Sequence, residues 1–145
     1  MNNCNFTYQL IQITYPDNPE MNVKYQYGAP NSGNETGRLI YQEDATGIQQ
    51  FKYGKLGELT ENIRTFVLPD KQLYSFGMKW NYDTWNRIKQ INYADGEEVV
   101  YEYDRAGMLV NMHGIKGNDT YNYLTEQGYD KFGNKIMMKY GNDIT

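Results

Sequence analysis

A pair of aromatic residues separated by one position recurs along the chain, and this repetition constrains the fold more than any other feature. Five such pairs are Tyr25/Tyr27, Phe51/Tyr53, Trp80/Tyr82, Tyr101/Tyr103 and Tyr121/Tyr123. Residues i and i+2 of a β-strand point to the same face of a sheet, so each pair sets two rings side by side. The pattern predicts a series of strands, each carrying two adjacent rings.

A turn motif follows many of these pairs, with the form Tyr-(Asp/Gly)-x-x-(Gly/Asn)-x-(Leu/Ile). An Asp side chain can accept a hydrogen bond from the backbone two residues later, and Gly or Asn tolerates a positive φ. The motif therefore predicts a strand end, a tight turn and a new strand whose Leu or Ile returns to the core. Its copies are Tyr53-Gly54 with Gly57 and Leu59, Tyr82-Asp83 with Asn86 and Ile88, Tyr103-Asp104 with Gly107 and Leu109, and Tyr129-Asp130 with Gly133 and, one residue late, Ile136.

Two stretches predict the hairpin that joins one motif to the next. Ile88, Ile91 and Tyr93 precede Asp95-Gly96, and a similar apolar spacing precedes Pro16. Asp95-Gly96 is a strong hairpin signal, because both of its residues tolerate positive φ. An apolar spacing of three and then two departs from the strand period of two, which predicts a β-bulge in each first strand.

The fold class that follows is all-β, with repeated antiparallel hairpins forming one twisted or spiralling sheet of roughly ten strands. Residues 1–145 are interpreted as a single array. Its predicted units are 8–28, 37–54, 57–83, 82–104, 107–124 and a partial unit 129–145, with an exposed polar loop at 28–37.

Composition supports this interpretation and excludes several functions. The chain has 15 Tyr, 5 Phe and 2 Trp but few aliphatic residues, which predicts an aromatic core. The net charge is -4 and no basic block is present, so nucleic-acid binding is not expected. No apolar stretch is long enough for a membrane span, and no signal peptide is expected within this chain. Cys4 is the only cysteine, so no intrachain disulfide can form.

The segment from Tyr82 to Leu109 resembles the RHS/YD-repeat family, which is named for its Tyr-Asp dipeptide. The resemblance is carried by Tyr103-Asp104-Arg-Ala-Gly107-Met-Leu109, preceded by Asp95-Gly96 and by Tyr101-Glu-Tyr103. It is fair at Tyr53–Leu59 and at Tyr129–Ile136, and degenerate before residue 50. The family includes bacterial RHS polymorphic toxins, wall-associated proteins, C subunits of insecticidal toxin complexes and the YD shell of teneurins.

The resemblance implies a non-catalytic structural segment that contributes β-hairpins to a shell or scaffold. In the family, such a shell encloses a toxin or mediates surface interactions, and the proteins are exported or displayed at the cell surface. This sequence departs from the family pattern by having few repeats and by lacking the Pro- and Gly-rich C-terminal core motif with its autoproteolytic aspartates. Enclosure and self-cleavage are therefore not transferred to it here. The expected partners are further YD repeats of the same or a neighbouring chain, with edge-to-edge homo-oligomers as a further expectation.

No residue set predicts catalysis, a metal site or a cofactor, so the chain is interpreted as a protein without enzyme activity. His113 is the only histidine and would need carboxylates to complete a metal site. Asp83, Asp104 and Asp130 occur once per repeat, which favours turn capping over a shared acid or calcium site.

One alternative function remains open, which is a carbohydrate-binding β module that uses surface aromatics. Trp80 and Trp85 lie in the same unit, and Trp85 occupies a turn where other copies have Ala or Phe. A turn tryptophan is expected to be exposed, so these two residues are the candidate glycan contacts.

Overall fold

The computed structural model of this chain describes the backbone of residues 2–4 and 8–144, and side chains from residue 8 to residue 144. The side chain of Cys4 lies outside the described residues. Regular structure in the described part is almost entirely β. The strands are β1 (Asn2–Cys4), β2 (Leu10–Ile13), β3 (Val23–Tyr27), β4 (Leu39–Asp44), β5 (Gly47–Tyr53), β6 (Leu59–Val67), β7 (Leu73–Tyr82), β8 (Ile88–Asn92), β9 (Glu98–Tyr103), β10 (Leu109–Lys116), β11 (Asp119–Tyr129) and β12 (Lys135–Tyr140).

The strands follow the same order in the sheet as in the sequence, from β1 to β12, so each strand is hydrogen bonded to its sequence neighbours. The pairings are antiparallel, as short hairpin connections require. The predicted class, an all-β protein built from antiparallel hairpins in one open sheet, is confirmed. Among the described residues, no helix has the length and apolar character needed to cross a membrane.

Two compact units divide the chain, Met1–Met78 and Lys79–Thr145, and the division falls within β7. The first unit holds β1 to β6 and the beginning of β7, and the second holds the end of β7 and the strands that follow. Within the second unit, β10 lies between β9 and β11. Each strand is therefore held by its immediate neighbours, as in other repeat proteins.

The turns after the Tyr residues share one geometry. In the turn after Tyr82, the Asp83 N–H donates to the Arg87 carbonyl at 2.9 Å, and the Asn86 N–H donates to the Asp83 carbonyl at 3.0 Å. Asn86 has a φ of 60°, and Gly107 has a φ of 86° at the same position of the next repeat. The positive φ expected at the Gly/Asn position is present. These positions favour Gly or Asn because other residues are strained there.

The Asp95-Gly96 hairpin is a longer turn than its dipeptide suggested. Only Gly96 has a positive φ, at 85°, and the loop between β8 and β9 closes through the Tyr93 N–H and the Glu97 carbonyl at 2.8 Å. A two-residue type I′ turn would need positive φ at both central residues. This hairpin therefore uses the same turn geometry as the connections after the Tyr residues.

A β-bulge occurs at the start of β8, as the apolar spacing predicted. Tyr82 pairs with Ile88 and Asn81 pairs with Gln90, so Lys89 has no opposite residue on β7. In β2, pairing skips in the same way between Leu10 and Gln12. Equivalent shifts mark the beginnings of β4, β6, β10 and β12. The bulge is thus a regular part of the repeat and adds local twist to each strand pair.

The prediction of an aromatic core was wrong for the fully buried positions. The buried apolar residues of the described part are Ile91, Val99 and Leu124, which are 7%, 5% and 2% exposed. Most of the aromatic pairs are only half-buried. The fully buried apolar positions of the described part are therefore aliphatic and not aromatic.

The fifth aromatic pair was also assigned wrongly. Tyr121 and Tyr123 lie in the first half of β11, away from its C-terminal end, and are 46% and 38% exposed. β11 continues to Tyr129, so its terminal pair is Gln127/Tyr129, and Gln127 is 6% exposed. The hairpin β10–β11 therefore extends past residue 124, where a unit was predicted to end.

The last repeat also differs from the predicted motif. Tyr129 pairs with Lys135, so a lysine stands at the Leu/Ile position. Ile136, which was expected to return to the core, occupies the bulge position and is 67% exposed.

Candidate functional site

In the described part of the chain, tyrosines at strand ends close hairpins of the sheet through their hydroxyl groups. Each lies at the end of a second strand and donates a hydrogen bond to the backbone carbonyl of the first residue of the preceding strand, an arrangement called a tyrosine clasp below. The clasps are Tyr27 to Leu10 at 3.0 Å, Tyr53 to Leu39 at 2.7 Å, Tyr103 to Ile88 at 2.8 Å and Tyr129 to Leu109 at 3.0 Å.

The clasps of one unit are linked through the strand pairing. In the second unit, Tyr129 holds Leu109, Leu109 pairs with Tyr103, and Tyr103 holds Ile88. Alternating aliphatic and tyrosine residues thus form a row along one end of the strands. A hydrogen bond of this kind contributes about 1 kcal/mol, so the row stabilises the open ends of the hairpins, where strands fray most easily.

Asp83, Asp104 and Asp130 each directly follow the Tyr that ends a strand. The Asp83 Oδ1 atom accepts hydrogen bonds from the Trp85 N–H at 2.9 Å and the Arg87 N–H at 3.0 Å. Asp104 accepts from the Met108 N–H at 2.8 Å, and Asp130 accepts from the Phe132 N–H at 2.8 Å. Each carboxylate satisfies backbone donors of its own turn, which is the capping arrangement. They do not converge on a common site.

Where the Asp is replaced by Gly54, another carboxylate takes over part of its role. The Leu56 N–H donates to the Glu58 Oε2 atom at 2.8 Å, and the Gly54 N–H still closes the turn on the Glu58 carbonyl at 2.8 Å. The turn therefore retains a carboxylate cap, although its acid comes from the opposite side. The sequence did not identify Glu58, because an acidic cap was expected only at the first turn position, directly after the Tyr.

Arg87 is the most extensively bound side chain in these turns. Its Nε and Nη2 atoms lie 2.7 and 2.6 Å from the Asp83 Oδ2 atom. Its guanidinium carbon lies 4.6 Å from the centre of the Trp85 ring and 4.2 Å from that of Tyr103. The planar cation is thus stacked on two rings, an interaction that a desolvated site strengthens.

These contacts perturb the acid–base properties of their partners. The hydrogen bond from Arg87 holds the pKa of Asp83 below its usual value. Burial raises the pKa of the Tyr103 phenol, and Arg87 opposes that rise. Both effects keep Asp83 ionised and Tyr103 neutral at physiological pH, which are the states that the clasp and the turn require.

An inserted loop replaces one of the turns without changing how it closes. The Gly28 N–H donates to the Arg38 carbonyl at 2.9 Å, and the Gly37 N–H donates to the Gly28 carbonyl at 2.9 Å. Arg38 lies 5.6 Å from the centre of the Tyr53 ring, as Arg87 stacks on Tyr103. The polar loop predicted at 28–37 is therefore an expanded copy of the short turn.

A cavity of about 570 Å³ lies between this loop and the strands β2 and β3. Ile11, Tyr25, Tyr27 and Pro30 supply much of its apolar surface, and Gln9 and Gln26 contribute amide groups. The Gln9 Nε2 atom donates to the Gly37 carbonyl at 2.7 Å and so ties the loop to β2. No charged side chain lines the cavity among the described residues.

In the first unit, Arg64 and Asp44 form an ion pair between β6 and the end of β4. The Arg64 Nη2 atom lies 2.8 Å from the Asp44 Oδ1 atom, and both side chains are mostly buried. Arg64 also contacts the Thr46 hydroxyl and lies 5.2 Å from the Phe66 ring centre. The hydrogen bond from Arg64 holds the pKa of Asp44 well below its usual range.

The two tryptophans occupy different surroundings. Trp80 is half-buried in β7, where it pairs with Ile91. Trp85 lies in the turn after β7, is 63% exposed and has Arg87 stacked on one face of its ring. No group of three or more metal-ligating side chains occurs within the described residues.

Similarity to known proteins agrees with the repeat seen in the sheet. The RHS Repeat family profile matches residues 82–119. No curated protein sequence matches the chain.

Solved structures share the fold. The crystal structure of TcdB2-TccC3 without its hypervariable C-terminal region has a TM-score of 0.82 at 14% identity over 99% of this chain. A second TcdB2-TccC3 crystal structure has a TM-score of 0.78 at 15% identity over 93% of this chain. The Photorhabdus luminescens Tc holotoxin pore with a mutated TccC3 has a TM-score of 0.70 at 12% identity over 99%. The chain spans only 8% or 9% of the length of these proteins.

Proposed function

We propose that this chain, whose residues 82–119 match the RHS Repeat family, serves as a structural segment, without catalytic activity, in the wall of a larger exported protein. Its hairpins contribute to a shell or scaffold that encloses a toxic cargo or mediates contacts at the cell surface. Its partners are further repeats of the same type, which continue the sheet at its ends.

The observation that carries this proposal is the recurrence of the tyrosine clasp. The same hydroxyl-to-carbonyl bond occurs in hairpins of both units, at distances of 2.7 to 3.0 Å. Each clasp ties a hairpin internally, while the bulge and the strand pairing join it to the next. Such a design extends by adding hairpins and needs no closed core, which suits a wall.

The similarity to the Tc structures supports the same proposal at the level of fold. The chain covers less than a tenth of those proteins, so its likeness concerns one stretch of a much longer chain. A stretch of sheet with a thin core and two open edges is expected to gain stability from neighbouring repeats.

Electron cryo-microscopy of the natively expressed protein that contains this segment tests the proposal. We expect a hollow particle whose wall includes this sheet, with a protease-resistant segment inside it. A variant with Phe at Tyr27, Tyr53, Tyr103 and Tyr129 should lose that protection, whereas Tyr121→Phe should retain it. A protein in which this sheet stands alone, without further repeats or an enclosed space, would overturn the proposal.

Carbohydrate binding by surface aromatics is the second candidate function. The observation that favours it is the exposure of Trp85, which is 63% exposed although the Arg87 guanidinium lies 4.6 Å from its ring centre. An aromatic ring held rigidly in this way can stack on the apolar face of a sugar. Half-buried Trp80 is a weaker contact by its position in β7.

Quenching of tryptophan fluorescence by a panel of oligosaccharides tests this second candidate. Saturable quenching that Trp85→Ala abolishes and Trp85→Phe partly retains would support it. Equal responses of the wild-type chain and Trp85→Ala would exclude Trp85 as the contact, and the same comparison with Trp80→Ala would decide the role of Trp80.

A further inference from the structure

A small cavity lies on one face of the second unit, where β8, β9, β10 and β11 are neighbours in the sheet. Its volume is about 230 Å³, and its lining consists of three tyrosines, two apolar residues and one acid, which are Tyr93, Tyr101, Tyr123, Val99, Met112 and Glu97. The three tyrosines are called the cavity tyrosines below. A cavity of this size is smaller than the pockets that hold drug-sized ligands, so it suits one compact chemical group.

The register of the strands explains why these side chains meet. Val99 pairs with Gly114, and Tyr101 pairs with Met112. Residues directly opposite each other project from the same face of a sheet, and so do residues two positions apart on one strand. All four residues therefore share a face, and Val99, which is 5% exposed, is the deepest part of the lining.

Gly114 makes room on this face for the third ring and for the acid. A Cβ on this glycine would lie 2.7 Å from the Tyr123 Cε2 atom and 3.2 Å from the Tyr123 hydroxyl, and would also meet the Glu97 carboxylate. The Tyr123 hydroxyl donates a hydrogen bond to the Glu97 Oε1 atom, which holds the ring and the carboxylate together. This bond raises the pKa of the Tyr123 phenol, so the ring stays neutral at physiological pH.

The cavity tyrosines are not covered by cations of the chain itself. In the turn after β7, by contrast, the Arg87 guanidinium lies 4.2 Å from the centre of the Tyr103 ring. Among residues 8–144, no Lys or Arg side chain stacks on a cavity tyrosine. Tyr93 and Tyr123 are 37% and 38% exposed, so a cation from solution can reach their rings.

The charges around the cavity favour a cation as well. The Lys116 Nζ atom lies 2.7 Å from the Asp95 Oδ2 atom, so these two charges balance each other. Glu97 forms no salt bridge within the part of the chain that the structure describes. Two carboxylates and one ammonium group therefore leave one negative charge in excess, and it belongs to the acid that lines the cavity.

We propose that this cavity binds a quaternary ammonium group of the kind that choline carries, with the cavity tyrosines around its methyl groups and Glu97 balancing its charge. The faces of aromatic rings attract cations, and cages of aromatic side chains hold quaternary ammonium groups in this way. A primary ammonium group fits less well, because it is strongly hydrated and carries three hydrogen-bond donors that each need an acceptor.

Titration of the isotopically labelled chain with choline chloride, followed by nuclear magnetic resonance, tests the proposal. We expect saturable shifts of the amides of Tyr93, Glu97 and Gly114, whereas those of Ile11 and Tyr25, at the larger cavity of the first unit, should not move. The neutral isostere of choline, in which carbon replaces nitrogen, has the same shape without the charge. Both this isostere and ethanolamine should bind about tenfold more weakly than choline.

Variants of the lining locate the site. Glu97→Gln keeps the acceptor for Tyr123 but removes the charge, and Tyr93→Leu removes an accessible ring, so each should raise the Kd for choline about fivefold. Glu102→Gln removes the same charge from an exposed position of β9, and Tyr121→Leu removes a ring of β11 that does not line the cavity. Both of these controls should bind choline as the wild type does, and circular dichroism should show the same fold in every variant.

Phosphocholine and a peptide that contains trimethyllysine, titrated in the same way, distinguish a head group from a modified side chain as the source of the cation, by which of them binds more tightly. The proposal would be overturned by a chain that shows no saturable shifts with choline, or by equal affinities for choline and its neutral isostere. Unchanged choline binding in both Glu97→Gln and Tyr93→Leu would overturn it as well.

Discussion

The hydroxyl of Tyr103 lies 2.8 Å from the carbonyl oxygen of Ile88, and this bond joins the last residue of β9 to the first residue of β8. Removing the hydroxyl while keeping the ring isolates the contribution of the clasp. Tyr103→Phe should therefore lower the free energy of unfolding by about 1 kcal/mol, measured by urea denaturation. Tyr121→Phe, at an exposed ring near the start of β11, is the control and should change stability little. Equal stabilities of the two variants would mean that the clasp contributes nothing.

The stacked guanidinium of Arg87 leads to a second prediction. Arg87→Lys keeps the positive charge but loses the planar group that contacts Asp83, Trp85 and Tyr103. We expect a loss of about 1 kcal/mol in unfolding free energy and a shift in tryptophan emission as the Trp85 ring loses its cover. Arg105→Lys, at an exposed position of the next turn, should leave both measurements unchanged. If Arg87→Lys leaves the unfolding free energy and the tryptophan emission unchanged, the positive charge alone is sufficient to hold this turn.

The ion pair between Arg64 and Asp44 predicts how stability depends on pH. The folded-state pKa of Asp44 is lower than that of an Asp in the unfolded chain. A carboxyl of this kind stabilises the fold above its unfolded pKa, and the contribution is lost as pH falls toward the folded pKa. The unfolding free energy should thus decline below about pH 4. Asp44→Asn should flatten this acid limb in urea titrations, whereas Asp17→Asn, in an exposed turn, should not. An unchanged acid limb in Asp44→Asn would contradict the assignment.

Gly114 provides a fourth prediction, because its missing side chain makes room for a ring. A Cβ at this position would lie 2.7 Å from the Tyr123 Cε2 atom and would also meet the carboxylate of Glu97. Tyr123 donates a hydrogen bond to Glu97, so the ring has little freedom to move away. Gly114→Ala should therefore cost about 1–3 kcal/mol through overpacking, measured by thermal unfolding. Gly77→Ala is the control, because its nearest contact is 3.8 Å away. Equal stabilities of the two variants would mean that the Tyr123 ring moves away from the added methyl group at no cost in free energy.

The sequence was informative where a residue type has one physical use. Asn86 and Gly107 predicted turns, because few residue types accept a positive φ. The spacing from Ile88 to Ile91 predicted a β-bulge. The clasp itself was not visible, because its acceptor is a backbone carbonyl that every residue possesses. Arg87 and Arg38 were also overlooked, although both directly follow the Gly/Asn position of their turns.

The errors arose where spacing was read without knowing strand length. Tyr121 and Tyr123 fit the aromatic pattern, but β11 runs on to Tyr129, so the pair falls away from the C-terminal end of the strand. Gln127 holds the equivalent position and is buried, where it donates a hydrogen bond to the Tyr129 hydroxyl at 2.6 Å. An amide can replace a ring there because its partner is the clasp hydroxyl, a contact that a hydrophobic pattern does not reveal.

The closure of the 28–37 loop has a consequence for how such a chain can diversify. Two backbone hydrogen bonds close this turn, from the Gly28 N–H to the Arg38 carbonyl and from the Gly37 N–H to the Gly28 carbonyl. Within the loop, the Glu35 and Asn34 carbonyls accept further bonds from Arg38, and the Asn34 amide donates to the Tyr53 carbonyl. New sequence can therefore be grafted between these anchor points while strand register on either side stays fixed. The loop of residues 28–37 thus shows that a turn of this sheet can carry inserted residues while its closing hydrogen bonds are kept.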